Sequence, residues 1–207
     1  RIYGRGATDM KSALAAMIAA AGAVQASGTV LEGDVILAFT AGESANLLGA
    51  RRFADQGVKD EIGAFVCGEP SGLDLITVEK AVLWLRLVAR GQIGHVSGAG
   101  GTNAITVMRR ALERLDSFVF DLPAHPLLSP PTLNVNTIQG GNSINTTPDR
   151  CLAELDIRLP PGTDWRAVVA QVRAHLGGLA EVEVIEFKPA VEEPTDSEFV
   201  RLCRGIT

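Results

Sequence analysis

Gly4-Arg5-Gly6-Ala7-Thr8-Asp9-Met10-Lys11 is the stretch whose reading decides this chain. It is short, polar and glycine-rich, and it feeds straight into the apolar run 13–24. Two glycines just ahead of a carboxylate indicate backbone that passes close to something. The placement also sets Asp9 near a helix N-terminus, where negative charge is favoured and ligands often bind. Two readings stand side by side: Thr8 or Asp9 caps the helix, or Asp9 is a metal or ligand residue.

Working outward, two further stretches bear on that choice. One is Phe39-Thr40-Ala41-Gly42-Glu43-Ser44-Ala45-Asn46-Leu47-Leu48-Gly49-Ala50, the other Val66-Cys67-Gly68-Glu69-Pro70-Ser71. Each is an apolar, strand-like run that ends in a small residue and then a glutamate. Three carboxylates at the ends of successive elements of an α/β pattern suit a hard or borderline cation and a base that activates water. With Asp9, these stretches make the chain resemble the zinc-dependent deacylase and exopeptidase family of acetylornithine deacetylase, succinyl-diaminopimelate desuccinylase and glutamate carboxypeptidase. The resemblance covers nearly the whole chain, and the order of several motifs carries it. A P-loop reading of 4–12 fails on spacing, which does not give G-x-x-x-x-G-K.

Composition narrows the partners. The 207 residues suffice for one large or two small domains. With 46% hydrophobic and 21% charged residues the chain reads as an ordinary globular protein. A net charge of -5 gives no electrostatic reason to expect nucleic acid or an anionic membrane as partner. The apolar run 13–24 is too short to span a bilayer. Cys67, Cys151 and Cys203 are odd in number and widely spaced, which fits a reducing compartment and a cytoplasmic location. The chain begins at Arg1, inside what resembles the middle of a motif, so we expect it to be a piece of a longer polypeptide.

Read in order, 11–27 is an alanine-rich buried helix stopped by Gly28. Buried strands are expected at 34–40 and 64–67, with a helix at 46–56 between them. This order implies a parallel sheet with covering helices. From about Val78 the pattern changes. Residues 81–89 read as a long antiparallel strand, 91–101 as a loop and 102–115 as a helix capped by Thr102. Strands at 132–138 and 152–159, a helix from Asp164 to Leu176 and a strand at 182–187 follow, and 195–203 again reads as a helix. The order β-α-β-β-α-β is that of a ferredoxin-like sandwich. The fold class is therefore α/β: a parallel-type sheet catalytic domain, 1–79 and 189–207, with an inserted ferredoxin-like lid, 80–188. In the resembled family such a lid mediates dimerisation. The apolar strand 81–89 is expected at an exposed edge that invites a second chain.

The resemblance implies roles. Asp9 matches the metal-bridging aspartate, followed in the family by a cis peptide bond. Glu69 matches the metal-binding glutamate of the Gly-Glu-Pro segment. Counted back from Gly49-Ala50, the family's Glu-Glu pair falls on Glu43 and Ser44. Glu43 would be the general base that moves a proton from metal-bound water to the leaving nitrogen. Ser44 replaces the second glutamate, a metal ligand, with a poor zinc ligand. His95, in Gly94-His95-Val96-Ser97 ahead of Asn103-Ala104-Ile105, resembles the lid histidine that stabilises the oxyanion in the partner subunit. Gly140-Gly141-Asn142-Ser143-Ile144-Asn145-Thr146-Thr147-Pro148 with Asp156-Ile157-Arg158 resembles the lid's other signature. There Asn145 and Arg158 would hold the substrate carboxylate, for which arginine's planar fork is suited. For each residue the plain alternative is a surface or capping role. His125 and His175 read as structural.

The expectation that results is a metal-dependent amide hydrolase in partial form. Its cofactor would be zinc or cobalt, one or two ions per subunit in the complete protein. Its substrate would be a small N-acyl amino acid or peptide-like molecule with a free carboxylate, and its assembly a homodimer through the lid. The family's upstream His-x-Asp and downstream histidine lie outside residues 1–207. Two rivals stay open: a non-catalytic homologue, because of Ser44, and an interaction module built on the lid.

Overall fold

A computed structural model describes residues 2–44, 46–95, 97–98 and 101–206. The chain divides into two compact units, one of residues 1–75 with 201–207 and one of residues 76–200.

In the first unit a wide turn at Ala7–Lys11 leads into helix α1 (Ser12–Ser27). Asp9 departs from helical geometry, at φ -108° and ψ 100°, and the Asp9–Met10 peptide bond is cis. Gly28 ends α1 at φ 71°, a left-handed conformation that glycine adopts without strain. No side chain caps the start of α1, so the capping reading of Thr8 and Asp9 is set aside. Instead Ser12 Oγ donates to the Thr8 carbonyl at 3.1 Å. Helix α2 (Leu48–Ala54) is shorter than the 46–56 expected, and one tight turn follows at Val58–Asp60.

The expected parallel sheet of this unit is corrected by the structure. Among the described residues of 2–75 no strand forms and no residue is buried. Val35 is 62% exposed and Phe65 70%. An apolar run supplies the propensity for a strand, but a strand exists only when a neighbour completes its ladder. A parallel strand also needs helices on both faces. The described residues of this unit bring neither to 34–40 or 64–67. Helix α1, apolar on every side, is only partly covered and buries none of its residues.

The second unit is where the core lies. Strand β1 (Val78–Glu79) is followed by β2 (Ala81–Arg90), β3 (Gly94–His95) and helix α3 (Ala104–Leu115). Then come β4 (Thr132–Gly140), β5 (Thr146–Thr147), β6 (Arg150–Leu159), helix α4 (Trp165–Leu176), β7 (Glu181–Lys188) and β8 (Val191–Glu192). Helix α5 (Glu198–Arg204) follows. The long strands form one antiparallel sheet in the order β4-β6-β2-β7. Along β2 and β6 alternate residues turn inward, so Leu83, Leu85, Leu87, Leu155 and Ile157 meet Met108 and Ala111 of α3 and Val168, Val172 and Leu176 of α4. Each such leucine, isoleucine, valine or methionine, taken wholly from water, contributes about 1.5–3 kcal/mol. The interleaved helices and strands make the chain an α/β protein.

Two expectations about this unit change. Strand β2 is not an edge: it lies between β6 and β7, paired along its length on both sides, and the edges are β4 and β7. Its alternate residues Leu83, Leu85 and Leu87 are wholly buried against the helices. Asn103, not Thr102, caps α3, its Oδ1 accepting from the N–H groups of Ile105 (2.9 Å) and Thr106 (3.2 Å). At α4 the expected cap holds, with Asp164 Oδ1 accepting from Arg166 N–H at 2.9 Å.

Candidate functional site

The first unit carries Asp9, Glu43 and Glu69. Asp9 sits in the turn that precedes α1. Glu69 follows Gly68, whose backbone lies tight against that same helix start. A Cβ at Gly68 would come within 2.6 Å of Ala13 Cβ, 2.8 Å of Met17 Cε and 3.4 Å of Met10 Cε. The absence of a side chain at Gly68 is what lets the segment that bears Glu69 reach the neighbourhood of Met10, next to Asp9.

Glu43 stands in the turn that enters α2. Backbone N–H groups of Leu47, Leu48 and Gly49 donate to the carbonyls of Glu43, Gly42 and Ala41 at 3.1, 3.2 and 2.9 Å, which fixes that turn. Gly49 is required there, because a Cβ would lie 2.5 Å from the Ala41 carbonyl oxygen. Ser44, which the motif reading treated as a lost metal ligand, donates its hydroxyl to Glu43 Oε2 at 2.9 Å. That hydrogen bond leaves Oε1 of the proposed base for a second partner. Sequence reasoning missed this use of Ser44; a hydroxyl next to a carboxylate was the available signal.

Whether these residues fit the metal that the resemblance implies can be tested on their chemistry. Zinc takes four nitrogen, sulfur or oxygen ligands. Among the described residues no group of three or more His, Cys, Asp and Glu side chains could hold an ion. Asp9 and Glu69 offer oxygen alone. The described residues do not by themselves make a metal centre.

The second unit carries His95, Asn145 and Arg158. Strands β3 and β5 form a small antiparallel ladder with Gly94 opposite Thr147 and His95 opposite Thr146. The ladder sets His95 close to Asn145, the residue before Thr146. Asn145 Oδ1 accepts from the hydroxyls of Ser143 and Thr146. Its amide N–H₂ remains as a pair of donors. Around it, residues 140–144 and 146–148 line an open depression of about 500 Å³ with Asn103 and Ile105. Close backbone approach builds this end of the unit. Gly91 N–H donates to Asp149 O at 2.7 Å, Gln92 N–H to Thr102 O at 2.8 Å and Ala104 N–H to Pro148 O at 2.9 Å.

His95 Nδ1 lies 2.7 Å from Ser97 Oγ and accepts the Ser97 backbone N–H at 3.3 Å. His125 and His175 have structural partners. His125 Nε2 meets Glu192 Oε1 at 3.1 Å, and His175 Nε2 meets the Arg114 carbonyl at 2.7 Å.

Arg158 is elsewhere. It lies eight positions beyond Arg150 on β6, roughly 26 Å along the strand at ~3.3 Å per residue, whereas Asn145 is at the Arg150 end. Its Nε and Nη2 donate to Asp156 Oδ1 and Oδ2 at 2.6 and 2.8 Å. Trp84 Nε1 donates to the same carboxylate at 3.0 Å. Within one chain Asn145 and Arg158 therefore stand toward opposite ends of β6. Two residues that share a motif in sequence are parted because β6 runs straight between them.

A family model described as the peptidase dimerisation domain matches residues 77–183, and one described as peptidase family M28 matches residues 1–79. A peptidase M20 domain-containing protein of Schizosaccharomyces pombe is 32% identical over 91% of this chain and 46% of its own length. The acetylornithine deacetylase of Myxococcus xanthus is 30% identical, over 100% of this chain and 53% of its length. A probable succinyl-diaminopimelate desuccinylase of Staphylococcus epidermidis is 26% identical over 79% of this chain and 47% of its length. The chain thus spans about half the length of the curated relatives it matches. Among solved structures, the aminopeptidase PepT of Bacillus cereus shares the fold. Its TM-score is 0.68 at 21% identity, over 95% of this chain and 53% of that one.

Proposed function

We propose, from the premise that this chain belongs to the M20 peptidase family, that the complete protein hydrolyses an amide bond in a small N-acyl amino acid or peptide-like substrate with a free carboxylate. The names of the relatives favour deacylation or carboxypeptidase action and lend nothing to the rival readings as non-catalytic homologue or interaction module. The family implies a divalent metal, and we take it as zinc or cobalt, one or two ions per subunit. Asp9 and Glu69 are the ligands proposed from this chain, with the remaining ligands lying outside it. When bound, such an ion polarises a carbonyl and acidifies water. Glu43, held on Oε2 by Ser44, moves the proton through its Oε1.

Residues 80–188 serve in this reading as an inserted ferredoxin-like lid, and 1–79 with 189–207 as part of the catalytic domain. The β-α-β-β-α-β order and the strand order β4-β6-β2-β7 support the first assignment. The match of 77–183 to a dimerisation-domain family supports homodimer formation through this region. The sheet edges available for it are those of β4 and β7. No helix among the described residues is long and apolar enough to cross a membrane, and we place the protein in the cytoplasm without a nucleic-acid partner.

The observation that carries the reading is the β3–β5 ladder. It brings two segments 50 positions apart in sequence to one end of the unit, with His95 opposite Thr146 and Asn145 the next residue along, and each carries an N–H donor. Such a pair suits an oxyanion and an adjacent carboxylate in the active site of the partner subunit. Arg158, on the far part of β6, keeps both Nη1–H groups and the second Nη2–H for a carboxylate. The test is complementation in full-length protein. A His95→Ala protein mixed with a Glu43→Gln protein should regain up to roughly a quarter of wild-type activity, the statistical share for a symmetric dimer that exchanges subunits. No recovery despite proven exchange would show that His95 acts in its own subunit or not at all.

A further inference from the structure

We infer that Ser97 is a positioning residue that locks the His95 ring as the tautomer with its proton on Nε2. The argument begins with an obligatory donor. A backbone N–H can donate and cannot accept. The Ser97 N–H points at His95 Nδ1 at 3.3 Å, so Nδ1 must present its lone pair. In a neutral imidazole one nitrogen carries the proton and the other accepts, and the partner of one decides the role of the other. With Nδ1 accepting, Nε2 carries the proton. Ser97 Oγ, at 2.7 Å from the same nitrogen, then donates as well. One residue supplies both donors.

The other histidines show what this device is for. Leu127 N–H donates to His125 Nδ1 at 3.2 Å, the same two-residue relation, and His125 Nε2 meets an acceptor, Glu192 Oε1, at 3.1 Å. His175 Nε2 likewise meets the Arg114 carbonyl oxygen. His95 has the same arrangement at Nδ1, but among the described residues its Nε2 has no acceptor. Its ring is exposed. The structure therefore holds an oriented N–H on an exposed ring. An anionic or strongly polarised oxygen on a ligand suits that N–H, and a proton acceptor role for Nε2 does not. This inference rests on the proposed oxyanion role of His95 for its purpose, but not for its geometry.

The experiment reads the two separately. Nitrogen-15 NMR of the ring nitrogens in the full chain gives the tautomer directly. With three histidines, loss of a signal in His95→Gln assigns it. The wild-type ring should sit as the Nε2–H form. Ser97→Ala removes the hydroxyl and keeps the N–H, and should move the tautomer ratio toward the other form by about 2- to 10-fold, the effect of one hydrogen bond. Ser97→Thr, which restores the hydroxyl, should return it. In full-length enzyme Ser97→Ala should lower kcat with KM little changed, and Ser97→Thr should restore kcat. A wild-type ring protonated on Nδ1, or a tautomer ratio that ignores Ser97→Ala, overturns the inference. If the ratio moves as stated while His95→Ala leaves kcat intact, the tautomer lock stands and the oxyanion role falls.

Discussion

Replacing Gly91 with alanine should unseat the end of the second unit that bears His95 and Asn145. Gly91 does not need a left-handed backbone, so its role is one of space alone. A Cβ there would lie 2.3 Å from the Thr102 carbonyl oxygen, 2.7 Å from Ala104 N and 2.8 Å from the Pro148 carbonyl oxygen. All three are backbone atoms, so no side chain can swing aside. Relief needs a movement of about 1 Å to restore ordinary contact, in a place where overpacking typically costs 1–3 kcal/mol. That movement also pulls on Gly91 N–H to Asp149 O and Ala104 N–H to Pro148 O. Their loss adds about 0.5–1.5 kcal/mol each. The expected destabilisation is about 2–6 kcal/mol in denaturant unfolding of the full chain, read against Gly162→Ala. At Gly162 no atom lies within 4 Å and only the φ of 75° opposes a side chain, at about 1–2 kcal/mol. Gly91→Ala that unfolds within 0.5 kcal/mol of wild type would refute the reasoning.

Other outcomes follow from the same geometry. Leu85→Ala, wholly buried in the central strand, should cost about 2–5 kcal/mol by denaturant unfolding, and a loss under 1 kcal/mol would mean that the core around β2 is not packed as described. Glu43→Gln in full-length enzyme should lower kcat at least ~10²-fold with metal content nearly unchanged; metal lost together with activity would make Glu43 a ligand. Residues 1–207 titrated with zinc should retain no stoichiometric ion after dialysis, because no three-residue donor group exists among the described residues. Tight one-to-one binding, read by metal analysis, would contradict this. Burial pushes the Cys151 thiol up from its ordinary value, which sets a sign. The neutral thiol stabilises the fold fully below the ordinary thiol pKa, and this contribution is lost as pH rises above it toward the raised value. In alkylation at pH 9 the exposed Cys67 should react well before Cys151, and equal rates would show that Cys151 is not shielded.

Much of the second unit was legible in sequence because its signals are local. The alternation in β2 and β6, the Asp164 cap and the apolar periodicity of α4 each need only neighbouring residues to be read. The turn at Asp9 and the place of Glu43 before α2 were legible for the same reason. Tertiary structure alone decided the rest. Strand β2 looked like an edge and is central, because the order of strands depends on which ladders close and not on any one strand's residues. The runs 34–40 and 64–67 have strand composition and no ladder, since a ladder needs a partner that a run cannot supply to itself. Asn145 and Arg158, thirteen positions apart in one motif, are parted by the length of an extended strand, while the segments of His95 and Asn145, 50 positions apart, are brought to one end of the unit by a two-residue ladder of His95 with Thr146 and Gly94 with Thr147. Sequence determined which residues have useful chemistry, because side-chain chemistry is local. Which of them meet depends on backbone hydrogen bonds between distant segments, and those exist only once the chain is folded.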